Sequence, residues 1–211
     1  MRRPGASVSA PALVLWYARY TRANRPRWAL EELELPYTLE RVDMKVGEHR
    51  QDRYLAVNPF GTVPTLVIDG APMLESSAQV QWIAELAPGI APPPGSPERA
   101  AYLSWFAWSL ATLEAPIHAY ALHTRWWPED RRSAAVAEDA KGKVRTALSY
   151  LQASLDGRDA LLRSGFSAAD IVVASNVLWA RSMGLVDEFP ALVAWGSKLQ
   201  QRPAWKRANA D

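Results

Sequence analysis

The chain has 211 residues, 49% hydrophobic and 22% charged, with a formal net charge of +2. Such a chain can bury one large core or two small ones, and its charge is too small to mark a nucleic-acid binder. It has no cysteine, which excludes disulfides, zinc–thiolate sites and a protein thiol nucleophile; thiol chemistry would need a thiol carried by the ligand.

Residues 1–12 are rich in small residues and lack an apolar run of signal-peptide length, so a flexible tail is expected. Leu13-Val14-Leu15-Trp16-Tyr17 reads as a buried strand, followed by a polar loop over 18–24. Pro26, in a first-turn position, opens a helix that should run to Leu35 and stop at Pro36, with Ala29, Leu30 and Leu33 on one face. A β-prone segment over 37–42 and a weaker helix over 48–57 come next. Asn58-Pro59-Phe60-Gly61-Thr62-Val63-Pro64 then leads into a hairpin over 65–68 and 72–74, turned by Asp69-Gly70. Ser76-Ser77-Ala78-Gln79 reads as an N-cap with a reciprocating Gln, starting a helix over 76–87. The order β-α-β-α-β-β-α predicts a small α/β layer whose first two strands are parallel.

Pro92-Pro93-Pro94-Gly95 centres a linker over 88–97, the natural boundary between a domain at 13–87 and one at 98–211. No strand is evident beyond it. Ser96-Pro97-Glu98 looks like a helix start, and Tyr102, Trp105, Phe106, Ser109 and Leu113 share one face of the helix that follows. Pro116 should kink or end that face. The apolar stretch 101–120 is interrupted by Glu114 and His118 and reads as a buried helix rather than a membrane span. A helix is expected over 133–155. Phe166-Ser167-Ala168-Ala169-Asp170-Ile171 carries a capping box and a hydrophobic staple, starting an apolar helix to about Trp179. A last amphipathic helix spans 190–199. His49, His118 and His123 show no metal-ligand spacing, so no metal is expected.

The residues around the hairpin suggest a binding surface. A cis peptide at Val63-Pro64 would present the Val63 N–H and C=O to an extended peptide. A helix start at Ser76 offers N–H groups and a hydroxyl to a carboxylate, and Glu75 beside it suits an ammonium.

The N-P-F-G-T-V-P and E-S-S motifs in an α/β layer, followed by F-S-A-A-D-I in a helical one, resemble the cytosolic glutathione transferases over nearly the whole chain. The resemblance implies an α/β plus all-α fold: a thioredoxin-like N-terminal domain and a helical C-terminal domain, in a homodimer located in the cytoplasm. It implies glutathione as co-substrate. Val63, beside cis-Pro64, would pair with the cysteinyl backbone, while Glu75 and Ser76 would hold the γ-glutamyl head group. Gly47-Glu48-His49-Arg50 resembles the phi-type stretch whose basic pair holds the glycyl carboxylate, with Arg50 in place of the usual Lys. Thr62 stands where Gln or Lys is common, which weakens that contact.

The family's chemistry is to keep the glutathione thiol ionised near neutral pH and deliver it to an apolar electrophile. Lowering a thiol pKa from about 8.5 by about two units takes roughly 2.7 kcal/mol. Counting back from Arg25, as in serine-type relatives, gives Thr21 as hydrogen-bond donor; Tyr20 and Tyr17 are rivals, and Arg22 supplies positive charge. The acceptor pocket is expected on the first helix after the linker, at Tyr102, Trp105, Phe106, Trp108 and Ser109, with Tyr120, Trp126 and Trp127 farther along. No nucleic-acid or membrane partner is expected. The competing reading is a non-catalytic binding or regulatory protein of the same fold, since Thr21 departs from the family's Ser, Tyr or Cys.

Overall fold

The computed structural model describes residues 10–210. Of the expected flexible tail, residues 1–9 lie outside the described residues. Ala12 is pinned: its N–H donates to Asp69 Oδ1 at 2.9 Å and its carbonyl accepts from Asp69 N at 3.0 Å.

Strands β1 (Leu13–Tyr17), β2 (Thr38–Arg41), β3 (Thr65–Ile68) and β4 (Ala71–Met73) form a sheet of order β2-β1-β3-β4. β1 pairs with β2 in parallel and with β3 antiparallel, and β3 pairs with β4 antiparallel. Leu13, Leu15 and Tyr17 face the core, because alternate side chains of a strand leave on opposite faces. Trp16, on the other face, packs on Tyr54 with ring centroids 5.6 Å apart. Asp69 (φ 47°) and Gly70 (φ 85°) are both left-handed, as the two central residues of a type I′ hairpin turn must be.

The first helix, α1 (Asn24–Glu32), ends before Leu35. Glu34 enters the left-handed region (φ 51°), and Leu35 N–H reaches back to Leu30 O at 3.0 Å, a Schellman stop that Pro36 alone did not reveal. The helix expected over 48–57 is split into a 3₁₀ turn, Glu48–Arg50, and α2 (Asp52–Leu55), because Gln51 between them is extended. Helix α3 (Ser76–Leu86) begins as expected but is not capped by Ser76. Glu75 holds the cap position at φ 67°, and Gln79 turns inward, donating to Met73 O at 2.7 Å.

Beyond the linker all regular elements are helical, apart from one isolated bridge between Leu162 and Gly165. Helix α4 (Arg99–Trp108) runs through π-type turns at Ser109–Glu114 into α5 (Ala115–Ala121) and further π-type turns at Leu122–Trp126. Pro116 was expected to kink or end this rod, yet helical dihedrals continue past it. The widened turns before it accommodate a residue with no N–H to give. Glu98 does not cap α4; its carboxylate accepts from Arg163 N at 2.7 Å instead. Helix α6 (Ala134–Leu155) is capped by Ser133, whose Oγ accepts from Val136 N at 3.4 Å.

Helix α7 (Ala168–Ser182) carries the expected capping box. Asp170 Oδ2 accepts from Ser167 N at 2.8 Å and from Ser167 Oγ at 2.9 Å, and its Oδ1 accepts from Leu161 N at 2.8 Å. Burial pushes this carboxyl up to about 6 against those donors. Helix α8 (Pro190–Leu199) follows as expected, whereas α9 (Pro203–Ala208) was not legible.

Helix α1 joins the two halves. One side of it packs on the sheet core through Ala29 and Leu30. On the other, Asn24 Nδ2 donates to Asn209 Oδ1 at 2.6 Å, and Arg202 grips both oxygens of Glu32 at 2.6 and 2.8 Å. No helix among the described residues is long and apolar enough to cross a membrane.

Candidate functional site: an arginine-lined cleft beside α1

The N-P-F-G-T-V-P segment owes its shape to Asn58, which is buried and saturated. Its Nδ2 donates to Thr62 O at 2.6 Å and Thr65 Oγ1 at 3.1 Å, while its Oδ1 accepts from Phe60 N at 3.0 Å. Tyr54 supports the same turn by donating to Thr62 O, and burial raises its phenol above the usual range. Gly61 sits at φ +59°, where an added Cβ would lie 2.7 Å from His49 O and 2.9 Å from Arg50 Nη1. Only glycine lets this loop approach the 3₁₀ turn so closely. Val63-Pro64 is cis. No hydrogen bond among the described residues engages the Val63 N–H or C=O.

This loop is one wall of a cleft of about 830 Å³. Gly61, Thr62, Val63, His49 and Arg50 line it on one side, and Tyr20, Thr21 and Arg22 from the loop after β1 line it on another. Trp126, Ser175, Leu178 and Trp179 close it from the helical half.

Behind its wall lies a charged cluster that two lining arginines, Arg22 and Arg25, form with Glu114. Arg22 Nε pairs with Glu114 Oε1, and Arg25 Nη1 lies 2.7 Å from Glu114 Oε2. Burial pushes the Glu114 carboxyl up, but the charges of Arg25 and Arg22 more than offset this and hold it below the ordinary carboxylate value. Arg25 is 2% exposed; burial draws its guanidinium below its ordinary value, opposed by Glu114. Its Nη2 donates to Asn176 Oδ1 at 2.5 Å and its Nη1 to Ser76 Oγ at 3.4 Å. Asn176 in turn donates to Ser109 Oγ at 2.9 Å. One guanidinium on α1 therefore ties the start of α3, the rod containing Glu114, and α7.

The candidates for thiol activation fall in different places. Tyr17 is buried under the Arg27 guanidinium, 5.1 Å from its ring, and does not line the cleft. Its assignment as a rival donor is revised: the side chain follows the inward alternation of β1. Tyr20 lines the cleft at φ 58° and is 88% exposed. The Thr21 hydroxyl donates to Ala18 O at 2.7 Å and accepts from Ala23 N at 3.2 Å, so its single proton is engaged in the turn. Arg22 keeps 40% of its side chain exposed, with its guanidinium 5.3 Å from the Trp179 ring centroid.

His49 and Arg50 line the cleft together; His49 Nδ1 is buried without a partner among the described residues. Glu75, Ser76 and Pro64 lie outside its walls, next to Val63 in the case of Pro64 and in touch with Arg25 in the case of Ser76. Glu75 holds a positive φ that costs a non-glycine residue about 1–3 kcal/mol.

None of the five residues expected to form the acceptor pocket lines this cleft. Tyr102, Phe106 and Ser109 are buried in the core, because the face they share looks at α7. Trp105 and Trp108 pack edge to face, 5.1 Å apart, and both meet Tyr150 of α6, beside a second groove. The aromatic wall is supplied by Trp126 and Trp179 instead, whose rings stack 5.7 Å apart at 12°. Of these the sequence offered Trp126 as a farther candidate and missed Trp179, along with Glu114 and Asn176. Tyr120 and Trp127 are not among the lining residues; Trp127 packs on His123 at 4.7 Å. Among the described residues no cluster of His, Asp and Glu could hold a metal ion.

Comparison with known proteins agrees with this architecture. Residues 21–86 match the family model for the glutathione S-transferase N-terminal domain, and residues 113–203 match that for the C-terminal domain. Glutathione S-transferase GstB of Escherichia coli (strain K12) is 31% identical over 193 residues, covering 89% of this chain and 92% of the relative. Glutathione S-transferase GST-4.5 of Xanthomonas campestris is 29% identical over 185 residues, covering 87% of this chain and 82% of the relative. The solved glutathione transferase of Methylococcus capsulatus superposes with a TM-score of 0.83 at 27% identity, covering 94% of this chain and 98% of that one. With both domain families matched in chain order, and a relative at that identity aligned over most of its length, the chain belongs to the glutathione S-transferase family.

Proposed function

We propose that this protein is a glutathione transferase that ionises the bound thiol in the loop after β1 and passes it to an aromatic electrophile on the Trp126–Trp179 wall. One observation carries the reading. The unpaired Val63 backbone, the Thr21–Arg22 loop and the stacked indoles line a single cleft, so peptide binding, thiol activation and acceptor binding meet there. In this reading residues 13–87 hold glutathione and residues 98–211 hold the acceptor, with 88–97 as linker. His49 and Arg50 take the glycyl carboxylate, Val63 the cysteinyl backbone, and Glu75 and Ser76 the γ-glutamyl head group. Thr62 contributes backbone rather than side chain.

The sulfur's charge faces Arg22, whose guanidinium Glu114 holds in place; charge-assisted contacts of this kind are the strong ones. Thr21 donates to the thiolate only by releasing Ala18 O, and Tyr20 is the neighbouring hydroxyl that lines the cleft. The sulfur lone pair forms the new carbon–sulfur bond, the leaving group departs with the bonding pair, and the thiol proton has gone to solvent.

The protein acts as a homodimer in the same reading. The groove lined by Trp108 and Tyr150, and Phe60 at 69% exposure, are apolar surfaces suited to a second copy. Light scattering at micromolar concentration should return twice the chain mass.

The test is calorimetric binding of glutathione followed by conjugation of a chlorodinitroarene. Glu75→Ala and Ser76→Ala should weaken glutathione binding; unchanged affinity in both would remove the head-group assignment. A second reading, glutathione binding without thiol activation, is favoured by the Thr21 proton being engaged with Ala18 O. It predicts binding with no conjugation above the uncatalysed rate.

A further inference from the structure

We infer that the acceptor this cleft selects is a planar aromatic electrophile carrying an anionic substituent such as a carboxylate, with its ring on the Trp126–Trp179 pair and its charge on Arg22. The inference rests on the transferase reading for its chemistry, and on the cleft alone for its selectivity.

The stacked indoles offer a flat surface, and Trp126 is left 53% exposed on it. Offset stacking is the arrangement that a further planar ring extends. The Arg22 guanidinium lies 5.3 Å from the Trp179 centroid, at the border of that surface. Only its Nε is taken, by Glu114; no hydrogen bond among the described residues engages its terminal nitrogens. Two terminal nitrogens in one plane can serve two anionic atoms side by side, one the thiolate and the other a carboxylate oxygen. Glu114 does not cancel this charge, because it is shared with Arg25.

The wider lining has the same sign. Among the described residues five arginines line the cleft and no Asp or Glu does, although Glu114 behind them pairs with two, Arg22 and Arg25, in a chain whose net charge is only +2. Arg19 makes no ion pair with a carboxylate among the described residues; its guanidinium rests over Tyr20 at 5.1 Å. Glutathione brings one uncompensated carboxylate and, when ionised, one thiolate, and these do not use up the lining. A neutral ring laid on the indoles would strip water from Arg22 and give nothing back. An anionic ring replaces that water with a charge-assisted pair. His118 lies against both indoles at 5.6 and 6.3 Å, and burial together with the Arg22 charge lowers its pKa, so it adds no competing cation at neutral pH.

The test uses two unreactive probes that share one ring and differ at the charged group, dinitrobenzoate and its methyl ester, titrated calorimetrically into protein saturated with S-methylglutathione. The acid should bind at least about tenfold more tightly than the ester. The ratio should fall towards one in Arg22→Gln, stay above one in Arg22→Lys, and shrink with added salt in the parent protein. Equal or tighter binding of the ester would overturn the inference, and the salt series on the parent protein decides the matter if an Arg22 variant does not fold. Chlorodinitrobenzoate and its methyl ester then separate the two readings, each rate being divided by that with free glutathione. Turnover of both without preference for the acid would leave the transferase standing and remove the inference. No turnover of either, with the acid still bound more tightly, would do the reverse.

Discussion

Glu114→Gln isolates the charged cluster that holds the cleft together. The substitution removes one negative charge and little volume. Arg25, 2% exposed, then faces no carboxylate, only neutral oxygens of Asn176, Ser76 and the new glutamine. Removing one partner of a buried ion pair costs about 3–5 kcal/mol, because the other charge is left uncompensated. The glutamine oxygen still accepts from Arg25 and returns about 1 kcal/mol, so a net loss of about 2–4 kcal/mol is expected. Arg22→Gln should behave differently: that side chain is 40% exposed, and an ion pair so open to water is worth about 1 kcal/mol or less.

Urea unfolding at neutral pH measures both, and a double-mutant cycle of Glu114→Gln with Arg25→Gln gives the coupling. The acid limb supplies a second reading. Glu114 is held below its ordinary carboxylate value in the fold, so its contribution is present above the unfolded value and lost as pH falls through the folded one. The variant should lose stability less steeply over that acid range. A Glu114→Gln loss below about 0.5 kcal/mol would refute the reasoning, since ordinary surface substitutions reach that size.

Gly61→Ala should abolish tight glutathione binding while the chain stays folded. Its Cβ would lie 2.7 Å from His49 O at a φ of +59°, forcing the loop off the His49–Arg50 turn; calorimetry at parent-like circular dichroism checks this. Asp170 is raised from 3.8 to about 6 in the fold, so the folded state binds its proton more tightly than the unfolded chain. That favours folding below pH 4, and the advantage is lost as pH rises through 6. Relative to Asp170→Asn, the parent should therefore lose about 3 kcal/mol of stability between those limits, measured by urea midpoints across the range. Asn58→Ala should cost about 2–3 kcal/mol, read from the same titrations, because it removes three hydrogen bonds at once and leaves Thr62 O and Thr65 Oγ1 to share the Tyr54 hydroxyl.

The fold was legible where local signals agree with the packing. The Asp69-Gly70 turn, the Ser167–Asp170 box and the Pro-rich linker each announce themselves within a few residues. The shape of the loop before β3 was legible for the same reason: N-P-F-G-T-V-P carries its own hydrogen bonds through Asn58. The misses share a cause. The face of Tyr102, Phe106 and Ser109 is apolar with helical spacing, and spacing cannot say whether such a face looks at a cleft or at α7. Glu114, Asn176 and Trp179 act through contacts with residues far away in sequence, Arg22 and Arg25, that no local pattern links to them. Pro116 misled because a helix breaker was expected, and the widened turns before it were not.

The central claim is thiol activation, and a pH titration of the ultraviolet absorbance of bound glutathione tests it most directly. The account predicts that the thiolate is half formed near pH 6.5, about two units below a free thiol. Arg22→Gln should move that midpoint upward more than Thr21→Ala, whose hydroxyl is tied to Ala18 O. Saturated protein in which thiolate appears only near pH 8.5 would contradict the account and leave a protein that binds glutathione without activating it.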